Sequence, residues 1–235
     1  MRGKIEYFPL EGHSCLVYSP AVHKEIPVVI VPANAPMMAA VPAILEQVEQ
    51  TGAQPFYLAA FQIDHWQNEC TPWPAPPLKK GGAPFGGQGT QTLDFIRQKL
   101  LPELESRCRI LPGPAGRMLA GYSLAGLFAL WAAFSCTDFG AVASCSGSLW
   151  YDGWAEFMES HRAPAPLRVY LSLGSAEGKS RDVRMQAVMP NTRTAEWQCN
   201  QDPNVTRYVF KIHPGGHFKE VEGRMAQALI WLNQE

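Results

Sequence analysis

The chain has no run of about 18 uninterrupted apolar residues, so no membrane-spanning helix is expected. Its first residues, Met1-Arg2-Gly3-Lys4-Ile5-Glu6, lack the apolar stretch of a secretory signal, and a cytoplasmic protein is the expectation. Charge is scarce: 17% of the residues are charged, where roughly 25% is usual. The 20 Lys and Arg nearly balance the 21 Asp and Glu, for a net charge of -1. No basic stripe remains to grip nucleic acid. With 46% apolar residues and seven Trp, the same low charge excludes a disordered chain. The six cysteines, Cys15, Cys70, Cys108, Cys136, Cys145 and Cys199, contain no Cys-x-x-Cys pair. Zinc ribbons and thioredoxin-like redox chemistry therefore find no support, and buried thiols are the expectation. Asn204-Val205-Thr206 matches a glycosylation sequon, which without a secretory signal reads as chance.

Glycine and proline are abundant, 20 of each, above the roughly 12% that the two usually contribute together. Nearly half of these forty fall in four places: Pro72 to Gly89, Pro112 to Gly116, Pro214 to Gly216, and positions 121 and 126. Between them β-rich runs alternate with helical ones. Strands are expected at Ser14 to Ser19, Pro27 to Val31, Phe56 to Phe61, Arg117 to Ala120, Ala141 to Ser146, Leu167 to Leu173 and Thr206 to Ile212. Helices are expected at Met38 to Gln50, Gln91 to Arg107, Leu124 to Phe134, Trp154 to Ser160 and Glu220 to Leu232, with Arg181 to Trp197 weakly helical. The alternation implies an α/β fold: a doubly wound, mostly parallel sheet with helices on both faces, a three-layer sandwich. Residues 1–235 read as one domain with an irregular loop at about 66–89, where a long structureless stretch is more often functional than idle.

Gly121-Tyr122-Ser123-Leu124-Ala125-Gly126 lies between a short apolar strand and a helix that is apolar on every side. A serine hydroxyl is a weak nucleophile, and a strained strand-to-helix turn projects it clear of a sheet toward a base. Such a turn demands small residues two before and two after the serine, here Gly121 and Ala125. The N–H of Leu124, at the start of the helix, would face a developing oxyanion.

In sheets that carry such an elbow the acid and then the histidine follow the serine. Of six histidines, His13, His23 and His65 precede Ser123, and His161 sits in a surface helix. His217 follows the last strand in His213-Pro214-Gly215-Gly216-His217-Phe218 and is the candidate base. His213 and His217 stand four apart, but Pro214-Gly215-Gly216 forbids the helix that a metal pair would need, so no metal is expected. The acid should lie after the strand ending at Leu173, with Glu177 first choice and Asp182 second; a Ser-His dyad without an acid is the third reading.

The elbow GYSLAG, the segment Ser146-Gly147-Ser148-Leu149-Trp150 and the loop PGGHF together resemble the putative-esterase branch of the α/β hydrolases, which includes enterochelin and feruloyl-type esterases. The resemblance spans most of the chain and implies cofactor-free ester hydrolysis by Ser123 and His217 through an acyl-enzyme. It departs at Ala125, where the branch carries glycine, and at Val31-Pro32-Ala33-Asn34-Ala35, where relatives carry glycine. It implies a second oxyanion donor there, an N–H near Ala33 or Asn34. Tyr122, Trp73 and Trp150 are the expected substrate contacts, with Trp66 and Phe85 nearby in the irregular loop. The expected partner is a small-molecule ester, with no signal for an oligomeric state. An acyltransferase or peptidase on the same residues, or a binding protein that kept only the fold, are the rival readings.

Overall fold

The computed structural model describes residues 3–234. The chain opens with a hairpin, β1 (Gly3–Leu10) and β2 (His13–Pro20), turned by Glu11 and Gly12, both at positive φ. Only β2 is foreshadowed by sequence pattern. β1 is an edge strand whose one buried residue is Phe8, so it shows no apolar alternation to read.

Then follow β3 (Val28–Ala33), α1 (Ala35–Gln50), β4 (Tyr57–Gln62), α2 (Trp66–Glu69), β5 (Pro74–Ala75), β6 (Phe85–Gly86), α3 (Gly89–Phe95) and α4 (Leu101–Arg107). Next come β7 (Arg117–Tyr122), α5 (Leu124–Ser135), β8 (Ala141–Cys145), α6 (Trp154–Ser160) and β9 (Leu167–Gly174). The last elements are α7 (Val183–Gln186), α8 (Val188–Gln201), β10 (Val205–His213) and α9 (Val221–Leu232). Eight strands form one sheet in the order β1-β2-β4-β3-β7-β8-β9-β10, parallel from β4 onward, with the hairpin antiparallel at one edge. This is the mixed three-layer α/β arrangement expected. One face packs against α1 and α9 through Val29, Val31, Ile44, Leu45 and Leu229; the other packs against α3 to α6 and α8 around Phe128 and Trp154. Strand β3 is buried along its whole length, as strands covered on both faces must be.

Two helices differ from their expected limits for reasons of proline chemistry. Helix α1 begins at Ala35, not Met38, because Pro36 suits a first turn, where no N–H is needed. Asn34 caps it, its Oδ1 accepting the Met37 N–H at 3.0 Å. The expected helix 91–107 is α3 and α4 joined through Ile96–Leu100, a wider turn in which the Leu101 N–H reaches the Ile96 carbonyl. Pro102 supplies no N–H there, so the normal ladder cannot continue.

The irregular loop is more built than its sequence suggests. β5 and β6 pair across it. Thr71 Oγ1 donates to the Gln67 carbonyl at 2.8 Å and accepts the Gly87 N–H at 3.0 Å, while Arg184 Nη1 donates to the carbonyls of Pro76 and Pro77. All six cysteines are free, five of them buried; burial pushes the Cys145 and Cys199 thiols up to about 12. No helix among the described residues is long and apolar enough to cross a membrane.

Candidate active site

Ser123 caps α5 with φ 61° and ψ -125°, a left-handed conformation that a residue with a Cβ adopts only under constraint. The constraint comes from both sides. Its N–H bonds the Cys145 carbonyl at 3.1 Å, and its carbonyl accepts the N–H groups of Gly126, Leu127 and Ser148. A Cβ at position 121 would collide with the Ala125 carbonyl, so the turn admits only glycine there. Every residue of α5 from Leu124 to Phe134 is buried, which anchors the elbow in the layer beneath the sheet. Leu124 is the first helical residue, and its N–H is among those that helix geometry leaves without an intrahelical partner.

The structure brings three expected residues together. His217 Nε2 stands 3.0 Å from Ser123 Oγ, and His217 Nδ1 stands 2.7 Å from Glu177 Oε2. Burial by itself would raise the Glu177 carboxyl. Hydrogen bonds to His217 and Ser146, attraction to the His217 ring when it is protonated, and the Gly174 N–H outweigh it and hold the group below its ordinary value. An ionised carboxylate only accepts, so Nδ1 carries the proton toward Glu177 and Nε2 is left to accept the Ser123 hydroxyl. Asp182 is not part of this arrangement. Its Oδ1 accepts the N–H groups of Arg184 and Met185, capping α7.

The other Glu177 oxygen is held by residues whose role the sequence reading missed. Oε1 accepts from Ser146 Oγ at 2.7 Å, from the Gly174 N–H at 2.7 Å and from Arg224 Nη1 at 3.1 Å. Ser146 reaches it from a strained position, φ 44°. Arg224 is 1% exposed. Its Nη1 is shared with Ser146 Oγ and the Tyr122 hydroxyl, and its Nη2 donates to the carbonyls of Gly216 at 3.0 Å and Pro214 at 3.4 Å. One guanidinium thus ties the acid to the backbone of the histidine loop. The Tyr122 hydroxyl completes the frame by donating to the His217 carbonyl at 2.6 Å. A signal for Arg224 existed: it falls on the face of α9 shared by Met225, Ala228, Leu229 and Leu232, where a charge is out of place unless paired.

A cavity of about 540 Å³ opens on Ser123 and His217, walled by Met37, Trp66, Tyr122 and Phe218. Asn34 lines it too, so the strand-to-helix turn after β3 is at hand for a second N–H donor. Trp73 and Trp150, expected as substrate contacts, do not line it. Trp73 donates its ring N–H to the Asp152 carbonyl at 2.7 Å and packs on Tyr151 and Phe157, while Trp150 is buried against Phe85 and Tyr151. These rings pin the Pro72 to Gly89 stretch down, and that stretch contributes no wall to the cavity. Tyr122 does line it, but with its hydroxyl engaged it offers a ring edge. His13 and His161 are packing residues, bound to the carbonyls of Gln62 and Phe157.

The family model described as putative esterase matches residues 50–231. An uncharacterized protein of Bacillus subtilis, YbbA, is 30% identical over 181 residues, 74% of this chain and 72% of the relative. The fold is similar to that of the siderophore hydrolase EstA from Aspergillus nidulans, with a TM-score of 0.77 at 17% identity over 99% of this chain and 94% of the other. It is also similar to the enterobactin hydrolase IroE in complex with DFP, with a TM-score of 0.78 at 18% identity over 100% and 97%. The chain belongs to the putative esterase family and is a carboxylic ester hydrolase.

Proposed function

We propose that Ser123, His217 and Glu177 are the catalytic triad of this esterase. The observation that carries the reading is the unbroken relay from Ser123 Oγ through both ring nitrogens of His217 to Glu177, at 3.0 and 2.7 Å. Ser123 Oγ attacks the ester carbonyl carbon as His217 Nε2 takes the hydroxyl proton, and the new oxyanion is held by the Leu124 N–H and an N–H at Asn34. Collapse breaks the bond to the alcohol oxygen, which receives the proton from Nε2. Water then attacks the acyl-enzyme, losing its proton to Nε2, and the acid leaves as that proton returns to Ser123. Glu177 fixes the ring tautomer and balances the imidazolium charge. No cofactor has a part in these steps. The substrate is a small-molecule ester, without nucleic acid or membrane as partner. The continuous sheet supports reading the chain as one domain, and six free thiols support a reducing, cytoplasmic compartment.

A fluorophosphonate probe followed by peptide mapping tests the nucleophile. Labelling is expected at Ser123, and Ser123→Ala should lose both the label and p-nitrophenyl ester turnover by several orders of magnitude, with its circular dichroism unchanged. An alanine variant as fast as the parent would refute the assignment.

A further inference from the structure

The walls of the cavity over Ser123 carry information about the ester they accept. Pro36, Met37 and Ala40 present one apolar face of α1, Trp66 opens α2, Phe218 comes from the loop before α9, and Val221 is the first residue of α9. Phe218 is 88% exposed, edge-on to the His217 ring at 4.8 Å between centroids. A phenyl ring left in water beside the reacting histidine gains when an apolar group covers it. The polar atoms nearby are largely committed: the Tyr122 hydroxyl to His217 and Arg224, and Asn34 Oδ1 to the Met37 N–H. Among the described lining residues there is no Lys or Arg, and the one carboxylate is Glu222. An adjoining recess shares Phe218, Val221 and Glu222 and adds a second carboxylate, Glu220.

We infer that this cavity selects esters whose larger group is uncharged and apolar, a short alkyl chain or a single ring, and turns away anionic esters. Apolar surface is the attraction, since the pocket falls within the roughly 300–1,000 Å³ of small-ligand sites and is walled mainly by carbon. The exclusion comes from charge: a substrate carboxylate entering here loses water, meets no Lys or Arg and faces Glu222. The inference rests on Ser123 being the nucleophile.

Matched esters test it from both sides of the bond. The pairs are p-nitrophenyl butyrate against p-nitrophenyl hemisuccinate, and phenyl acetate against 4-carboxyphenyl acetate, each rate divided by that ester's hydroxide-catalysed rate. The neutral member of each pair should have kcat/KM at least tenfold higher. Ala40→Arg, which places a cation in the wall, should narrow the gap several-fold, and less so in high salt. An enzyme that labels at Ser123 yet prefers the anionic member of either pair overturns the substrate class and leaves the triad standing. An enzyme that neither labels at Ser123 nor hydrolyses any of the four overturns the triad itself.

Discussion

Glu177 is the residue on which the site's electrostatics turn, because each of its oxygens has a different task. Oε2 faces the imidazole and Oε1 is tied to Ser146, Gly174 and Arg224. Glu177→Gln keeps the shape and removes the charge, so kcat should fall on the order of 10²- to 10⁴-fold while KM moves little, measured with p-nitrophenyl acetate. The same carboxyl bears on stability. Its folded pKa is depressed, so its contribution is complete above the unfolded value of about 4.3 and is lost as pH falls through the folded value. Denaturant midpoints taken from pH 6 to pH 3 should therefore fall more steeply for the parent than for Glu177→Gln. Arg224 gives the converse experiment. Removing one partner of a buried pair strands the other, at a cost of about 3–5 kcal/mol, so Arg224→Met should lower the Tm on the order of 10 °C. Arg224→Lys keeps the charge but cannot span both the carboxylate and the Gly216 carbonyl, and should recover stability better than it recovers kcat.

Among the elements, the β7 to α5 turn concentrates the strain. Gly121→Ala would push its methyl into the Ala125 carbonyl. Relief requires moving Ser123, and a shift of about 1 Å at the proposed nucleophile can cost 10²-fold in rate. The stability cost should be no more than about 1–3 kcal/mol, so the variant should be folded and nearly inactive, read by paired thermal melts and ester assays. This turn was legible in sequence because its chemistry is local: small residues flank a serine between a strand and an apolar helix. The starts of α1 and the break at Ile96–Leu100 were less legible, since each depends on where a single proline, Pro36 or Pro102, falls in the hydrogen-bond ladder. The aromatic loop misled for a related reason. Trp73 and Trp150 carry the composition of a binding cleft, but which surface a ring meets is decided by partners some 80 residues away for Trp73, at Tyr151 and Asp152.

Across the whole molecule, stability should be graded from the middle of the sheet outward. β3, β7, β8 and β9 have neighbours on both sides and helices on both faces, whereas β1 and β10 form the edges and are largely half-buried or exposed. Native-state hydrogen exchange should leave the amides of β3, β7 and β8 protected longest and release those of β1 first. Early exchange in β8 before β1 would contradict this layering.

The sequence by itself determined the alternation of strands and helices and the elbow that raises Ser123; it offered His217 behind a pair of glycines and ranked Glu177 ahead of Asp182, with a dyad lacking an acid left open. These are encoded locally, in periodicity and in residues that a turn requires. Only the tertiary structure decided that Arg224 joins the acid to the histidine loop, that Ser146 and Tyr122 brace it, and that the cavity is walled by Met37, Trp66 and Phe218 rather than Trp73 and Trp150. Those pairings join residues far apart in the chain, and it is the packing of α1 and α9 on the same face of the sheet that brings their walls to Ser123.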